Sequence, residues 1–167
     1  MSKDEWGTPQ ELFDELDETF HFTLDPCASA TRILKSNCRM LSVTSETDGL
    51  SISWKNHSVF VNPPYSGKSL RRWVEKCHEE RHSASNLILL VPSRIIGTSY
   101  FQELLLPWVA LLMYVKGRIQ FIPLAGQPKG SNPQSSIICI MQSSEEEMDL
   151  TSIQSLTDPG DFENLHS

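Results

Sequence analysis

The sequence has few cysteines, no long apolar run and no overall excess of basic residues. Its four cysteines are widely spaced, with no Cys-x-x-Cys pair, which argues against zinc or a disulfide framework and favours free thiols in a reducing compartment. The longest apolar run, at 104–115, is twelve residues long and contains Pro107, whereas a membrane-spanning helix needs about 18–20 residues. No signal-peptide pattern is present. We therefore expect a cytoplasmic protein without a membrane segment and without a bound metal.

Acidic side chains outnumber basic ones, and the net charge is −7. The acidic residues are concentrated at the two ends: residues 1–25 hold eight acidic and one basic side chain, and residues 143–167 hold seven acidic and no basic ones. Residues 26–142 carry 13 basic and 6 acidic side chains, a balance of +7. The middle of the chain can therefore present a basic face to nucleic-acid phosphates, although solvated helix charges would give the same count.

The length of 167 residues predicts one domain with its own core. Residues 143–167 are rich in Ser, Glu and Asp and poor in large apolar groups. We expect the domain to comprise residues 1–142 and the acidic tail at 143–167 to be disordered.

The stretch Ser58-Val59-Phe60-Val61 predicts a short buried strand, and the two prolines that follow predict its abrupt end. In an open α/β sheet, ligands bind outside the carboxyl ends of the strands. Asn62 stands at that end, held by rigid prolines, so its amide is expected to face a crevice. A plain Pro-Pro turn with a tyrosine packed on it is the alternative.

Asn62-Pro63-Pro64-Tyr65 suits the methylation of an exocyclic amine, whose lone pair is delocalised into the ring. The Asn62 side-chain oxygen and the Pro63 carbonyl can each accept an N–H hydrogen bond and favour the tetrahedral nitrogen that attacks. Tyr65 can stack on the base, which is worth about 1–3 kcal/mol.

This tetrapeptide resembles the catalytic motif Asn/Asp/Ser-Pro-Pro-Tyr/Phe/Trp of amino-methyltransferases that use S-adenosylmethionine. Other segments occur around it in a characteristic order: Trp6-Gly7-Thr8-Pro9, Leu24-Asp25-Pro26-Cys27-Ala28, Asp48-Gly49-Leu50 with Trp54, and Gly117-Arg118-Ile119-Gln120-Phe121. Together they resemble the phage-type DNA N6-adenine methyltransferases (phage Dam). One departure is that Ala28 and Ser29 stand where the cofactor loop of these enzymes has glycine.

The resemblance implies a single-domain α/β fold of the Rossmann-like methyltransferase type, an open mixed sheet with helices on both faces. It implies transfer of a methyl group from S-adenosylmethionine to adenine N6 in DNA, by base flipping and direct in-line attack. The implied catalytic residues are Asn62, Pro63, Pro64 and Tyr65. The implied cofactor-binding residues are Trp6, Thr8, Pro9, Asp25, Pro26, Cys27 and Asp48, of which Asp48 has an ordinary Asp-Gly turn as its alternative role.

Four cationic residues are candidates for substrate binding: Lys68, Arg94, Arg118 and Lys129. Lys68 follows the catalytic motif, and Arg94 follows the strand predicted at 86–91, so both are expected near the crevice. Arg118 belongs to the Gly-Arg-Ile-x-Phe element. Lys129 lies in the proline- and glycine-rich loop 123–134, which we interpret as the DNA-recognition element.

Several further elements follow from local patterns. Thr8, Pro9 and Glu11 predict an N-cap, a first helical residue and a capping box for the first helix. Strands are predicted at 20–24, 109–115 and 135–141, of which 109–115 is expected to be buried, and helices at 30–36, 69–82 and 98–106. The helix at 69–82 is amphipathic, and Arg71, Arg72, Lys76 and Arg81 would form a basic outer face that either contacts DNA or is merely solvated.

Alternative functions remain open on the sequence. Cytosine N4 methylation and methylation of RNA or of a protein glutamine amide use a similar motif. A non-catalytic nucleic-acid-binding module with the same fold is a further alternative, because the glycine after Asp25 is missing. The recognised DNA sequence and the oligomeric state are not predicted.

Overall fold

Six strands of the described chain form one mixed sheet, and two further strands form a short ribbon. The computed structural model describes residues 6–28, 41–42, 49–117, 119, 121–123 and 135–141. The strands are β1 (Trp6–Gly7), β2 (Leu24–Asp25), β3 (Leu41–Ser42), β4 (Ser58–Val61), β5 (Asn86–Pro92), β6 (Val109–Tyr114), β7 (Ile122–Pro123) and β8 (Ser136–Met141). The helices are α1 (Gln10–Phe20), α2 (Gly67–Glu80) and α3 (Ser99–Leu104), with 3-10 helices at Ser93–Gly97 and Leu106–Trp108.

The strand order in the larger sheet is β3-β2-β4-β5-β8-β6. The first four of these strands are parallel, whereas β8 is antiparallel to both β5 and β6. In the register, Val61 lies opposite Leu89, and Pro92 lies opposite Ser136. The carboxyl ends of the parallel strands therefore share one edge of the sheet, which we call the carboxyl edge.

Alternate strand residues point to opposite sides of the sheet, so both faces carry apolar side chains. Helices pack on both faces. One face packs against α1 through Phe13, whose ring meets that of Phe60 edge-on at a centroid distance of 5.4 Å. The other face packs against α2 and α3. Strand residues of this second face include Val59, Val61, Leu87, Leu89, Ile137 and Cys139. The expected mixed α/β sheet with helices on both faces is confirmed for the described residues.

Most of the predicted elements are present with small shifts in their ends. The strand at the catalytic motif, the strands at 86–91 and 135–141 and the helices at 69–82 and 98–106 correspond to β4, β5, β8, α2 and α3. Trp54, which belongs to the Asp48-Gly49-Leu50 segment of the family pattern, is fully buried and stacks on Trp73 with ring centroids 6.3 Å apart. The predicted helix at 30–36 and the predicted tail lie outside the described residues.

Three local predictions were wrong. A strand does not begin at residue 20, because α1 continues through Phe20 and ends at His21, whose φ of 48° is left-handed. Thr8 does not cap α1: the helix begins at Gln10 with Pro9 in the cap position and no side-chain cap hydrogen bond. β6 is not a buried strand, because it forms an edge of the sheet and leaves Tyr114 67% exposed.

In the part of the chain that is described, the helices are too short or too polar to cross a bilayer.

Candidate active site

Polar residues follow three neighbouring parallel strands at the carboxyl edge. Asp25 ends β2, Asn62 follows β4, and Arg94 comes two residues after β5. β2 and β5 both pair with β4, which brings the ends of the three strands together. Asp25 and Asn62 are each only 5% exposed. This edge therefore carries a buried carboxylate and a buried amide on adjacent strands.

The Asn62 amide is held from the N-terminal side of the chain. Its Nδ2 donates a hydrogen bond to Thr8 Oγ1 at 2.9 Å, and Thr8 is 4% exposed. Thr8 lies between β1 and α1, so the N-terminal segment lies against the end of β4. Sequence reasoning placed both residues in the site but did not predict this contact, which joins residues 54 apart.

The rest of the predicted catalytic motif is well packed. Pro63 is buried and Pro64 half-buried. The Tyr65 ring is 8% exposed and meets Phe121 edge-on at a centroid distance of 6.0 Å. Its hydroxyl donates to the Leu90 carbonyl at 3.4 Å. The aromatic ring is thus held by Phe121 and Leu90 instead of projecting into solvent.

A tight turn follows Asp25. Its Oδ1 accepts the backbone N–H of Cys27 at 2.9 Å, and its carbonyl accepts that of Ala28 at 3.1 Å. Pro26 is buried and Cys27 half-buried. Gly49 packs on this turn so closely that an added Cβ would overlap the Pro26 carbonyl oxygen. The residue after Asp48 therefore lies directly on the predicted cofactor loop, whereas Asp48 itself lies outside the described residues.

The short ribbon of β1 and β7 adjoins the Thr8 segment. β1 pairs antiparallel with β7, with Trp6 opposite Pro123 and Gly7 opposite Ile122. Pro9 is half-buried. This pairing brings the segment after Gly117 to the Thr8 segment, which the sequence did not predict. Long-range pairing of two-residue strands leaves no local pattern to read.

The four substrate-binding candidates have different outcomes. Lys68 is exposed in the first turn of α2, directly after the catalytic motif. Arg94 is exposed, and its Nη2 donates to the Tyr65 carbonyl at 2.6 Å, so it also fixes the motif. Arg118 and Lys129 lie outside the described residues.

The basic outer face expected on α2 is largely engaged within the protein. Arg71 pairs with Glu75 at 2.9 Å, and Lys76 pairs with Glu80 at 2.6 Å. Arg81 donates to the His78 carbonyl and lies over the Trp108 ring, 4.6 Å from its centroid. Of this face, Arg72 is exposed and has no hydrogen bond or ion pair to another described residue. The same is true of Lys68, which lies one helical turn earlier.

Glu80, the last residue of α2, connects the helix to neighbouring segments by hydrogen bonds, and no sequence pattern indicated this role. It accepts hydrogen bonds from Lys76, the Ser83 hydroxyl and the Trp54 backbone N–H. Burial alone would raise the pKa of Glu80, but these three donors outweigh it and hold the pKa below the usual value of 4.5. The ionised carboxylate therefore ties the loop 49–57 to α2.

The described thiols are free, as expected. Burial raises the pKa of the Cys139 thiol to about 12 and raises the pKa of Cys77 as well, an effect to which the neighbouring Cys139 adds. Neither is a nucleophile at neutral pH. The residues that the structure describes contain no group of three side chains suited to a metal ion.

The sequence was compared with models of protein families and with curated proteins. A family described as DNA N-6-adenine-methyltransferase (Dam) matches residues 1–162. No curated protein matches the chain. The family match covers nearly the whole chain, including every element of the carboxyl edge.

Proposed function

Because the chain belongs to the DNA N-6-adenine-methyltransferase (Dam) family, we propose that it methylates adenine N6 in DNA with S-adenosylmethionine as the methyl donor. Family membership supports adenine N6 methylation of DNA as the activity of the family. The proposal for this chain needs support from its own residues. The observation that carries the proposal for this chain is the buried Asn62 amide at the end of β4, beside the carboxylate that ends β2.

The fold that we propose is of the Rossmann-like methyltransferase type. The order of the parallel strands, the antiparallel β8 inserted between β5 and β6, and the helices on both faces support it. In such sheets the ligands lie at the carboxyl edge, which is where Asp25 and Asn62 lie at the ends of adjacent strands.

The residues at this edge fit the proposed cofactor. Asp25 is a buried acceptor suited to a hydroxyl or amino group, and the absence of a side chain at Gly49 allows a close approach of backbone to the turn at Pro26. Thr8 offers a hydroxyl beside the start of α1, and Trp6, Pro9, Cys27 and Asp48 complete the set that we assign to the cofactor. When bound, S-adenosylmethionine would supply an electrophilic methyl group for direct in-line displacement: as the amino nitrogen bonded to the methyl carbon, the carbon–sulfur bond would break, S-adenosylhomocysteine would leave, and the nitrogen would release one proton to solvent.

The chain itself positions the amino group. Asn62 Oδ1 and the Pro63 carbonyl accept its two N–H groups, which favours a tetrahedral nitrogen with an available lone pair. An adenine amino group in a duplex is stacked and paired, so the base must be flipped out. Tyr65 then stacks on it, which requires the contact with Phe121 to open as DNA binds, because little of the ring is exposed.

Cationic residues at the same edge are assigned to the DNA. Lys68 and Arg94, together with Arg118 and Lys129, are proposed to contact phosphates or bases. The free thiols agree with action in the cytoplasm.

The test measures methylation of plasmid DNA from a methylation-deficient host with radiolabelled cofactor, followed by nucleoside digestion and mass spectrometry. Wild-type protein should produce N6-methyladenine. Asn62→Ala should lower the rate by about 100-fold or more, while calorimetry shows that S-adenosylhomocysteine is still bound. Asn86→Ala is a matched control, because that amide bonds Ser58 Oγ at the opposite edge of the sheet.

Three results would contradict the proposal. N4-methylcytosine as the product would reassign the substrate. Near-normal activity of Asn62→Ala would remove the catalytic role. Absence of both cofactor binding and methylation in the wild type would leave only the non-catalytic module.

A further inference from the structure

The contact between Thr8 and Asn62 joins the segment assigned to the cofactor to the group assigned to the target base. Nδ2 of Asn62 donates to Thr8 Oγ1 at 2.9 Å, and the two residues are 5% and 4% exposed. A buried hydrogen bond of this kind holds its partners firmly, because breaking it without a replacement is costly away from water. The hydroxyl therefore restrains the side chain on which the proposed reaction depends.

The direction of this bond decides what the amide offers to a substrate. An amide has donors on one side, at Nδ2, and an acceptor on the other, at Oδ1. With Nδ2 turned towards Thr8, Oδ1 is turned away from it. If the Thr8 hydroxyl donated instead, the amide would be reversed and would present N–H groups to an amino group that also donates. Only one of the two arrangements suits the methylation of an amine.

We propose that Thr8 is a positioning residue that holds the Asn62 amide with its Oδ1 towards the target amino group. This inference rests on the proposed function of the same site. Thr8 acts through Asn62 and does not itself contact the base.

The hydroxyl proton of Thr8 adds a link to the cofactor. Since Oγ1 accepts from Asn62, its own proton is directed elsewhere, and the described residues provide no second hydrogen bond for it. The methyl donor, to which we assign Thr8, carries a carboxylate, a group that only accepts. If that carboxylate binds Thr8, it would hold the hydroxyl as an acceptor towards Asn62, and cofactor binding would stabilise the reactive orientation of the amide. By linkage the effect is reciprocal.

The test compares Thr8→Val, which has the same shape without the hydroxyl, with Thr8→Ser, which keeps it. At saturating cofactor, Thr8→Val should lower the single-turnover rate by about 10–100-fold, because the amide is no longer oriented. Thr8→Ser should keep most of the rate. Thr98→Val is the matched control, since it removes a hydroxyl that bonds the Ile95 carbonyl at 2.6 Å and not Asn62, and it should leave the rate unchanged.

A second readout needs no turnover. The side-chain amide signals of Asn62 in a ¹⁵N spectrum, assigned by their loss in Asn62→Asp, should shift in Thr8→Val. In the wild type they should shift and sharpen when S-adenosylhomocysteine is added. Thr8→Ala is measured in the same way if Thr8→Val does not fold, with melting temperatures recorded for both.

The inference is overturned if the Asn62 signals do not respond to the loss of the hydroxyl. It is also overturned if Thr8→Val recovers the full rate once the cofactor is saturating, since Thr8 would then be only a cofactor contact. A wild type that methylates no DNA would instead contradict the proposed function, and the amide signals would still decide the role of Thr8.

Discussion

Gly49 is the residue at which backbone geometry most directly limits the sequence. A Cβ built on it overlaps the Pro26 carbonyl oxygen, and the contact is to backbone that cannot rotate away. The Gly49 carbonyl also accepts the Trp54 Nε1–H at 3.1 Å. Gly49 thus connects the turn after β2 to the buried Trp54. A side chain at position 49 would push the turn and Trp54 apart.

We predict that Gly49→Ala destabilises the protein by about 1–3 kcal/mol, the range for overpacking, and weakens S-adenosylhomocysteine binding. Urea denaturation and calorimetry measure the two effects. Gly97→Ala is the control, because its added Cβ meets no atom within 4 Å and should be neutral or stabilising by about 0.4–1 kcal/mol. Equal stability of the two variants would show that the turn at Pro26 can move aside.

Residues in the site could be read from the sequence more easily than their partners. Asn62 and Asp25 were identified because each follows a strand pattern, which is local information. The bond from Asn62 to Thr8 was missed, because the Thr8-Pro9 pair matches an ordinary helix cap equally well. A threonine hydroxyl can bond to several kinds of partner. Here Thr8 accepts from the buried Asn62 amide and does not cap the helix, so Pro9 occupies the cap position of α1.

At the scale of elements, α2 carries two ion pairs of the same spacing in different surroundings. Arg71 and Glu75 are 63% and 42% exposed, whereas Lys76 and Glu80 are 12% and 11% exposed. An exposed pair contributes little, because water and salt screen it. The inner pair also orders the loop 49–57 through the Trp54 N–H, so the two carboxylates should differ strongly in their effect on stability.

We predict that Glu80→Gln lowers the free energy of unfolding at pH 7 by about 1.5–3 kcal/mol, the range for hydrogen bonds to a charged group. Glu75→Gln should change it by less than about 0.5 kcal/mol. The pKa of Glu80 is lowered in the folded protein, so its contribution is fully present above the ordinary glutamate pKa of 4.5 and is lost as pH falls through the lower folded value. Urea titrations from pH 7 to 3 should therefore show the wild type approaching Glu80→Gln at the acidic end. A constant difference over this range would mean that the carboxylate charge is not what stabilises α2.

Elements with a clear local pattern of apolar residues were predicted well. Features decided by tertiary contacts were not. β5 and β8 have unbroken apolar runs, so the existence of both strands followed from the sequence. β6 has the same kind of run but lies at the edge of the sheet, where its residues Val109 to Leu112 are only half-buried. The strand expected at 20–24 is reduced to Leu24–Asp25, because Phe20 is the last residue of α1 and Phe22 packs against Phe13 of that helix instead of joining the sheet. Strand order and edge position depend on contacts distant in sequence.

At the scale of the whole molecule, exposed cationic side chains lie at both the carboxyl edge and the amino edge of the sheet. Lys68 and Arg72 are exposed in the first two turns of α2, which begins directly after the catalytic motif. Lys55 is equally exposed, but it lies in the turn before β4, at the amino edge. With a net charge of −7, the protein as a whole repels DNA, so attraction must come from a local group of cations. The position of a lysine should therefore matter more than its charge.

We predict that Lys68→Ala and Arg72→Ala each weaken DNA binding and each reduce the slope of log Kd against log[salt] by about 1, the change for one lost phosphate contact. Fluorescence anisotropy with a labelled duplex over a sodium chloride series measures both quantities. Lys55→Ala removes the same charge from the same net total and should leave the slope unchanged, because Lys55 lies at the amino edge of the sheet and not at the carboxyl edge. A slope reduced equally by Lys55→Ala would mean that DNA responds to total charge alone, and the carboxyl edge would then lose its assignment as the DNA-facing side.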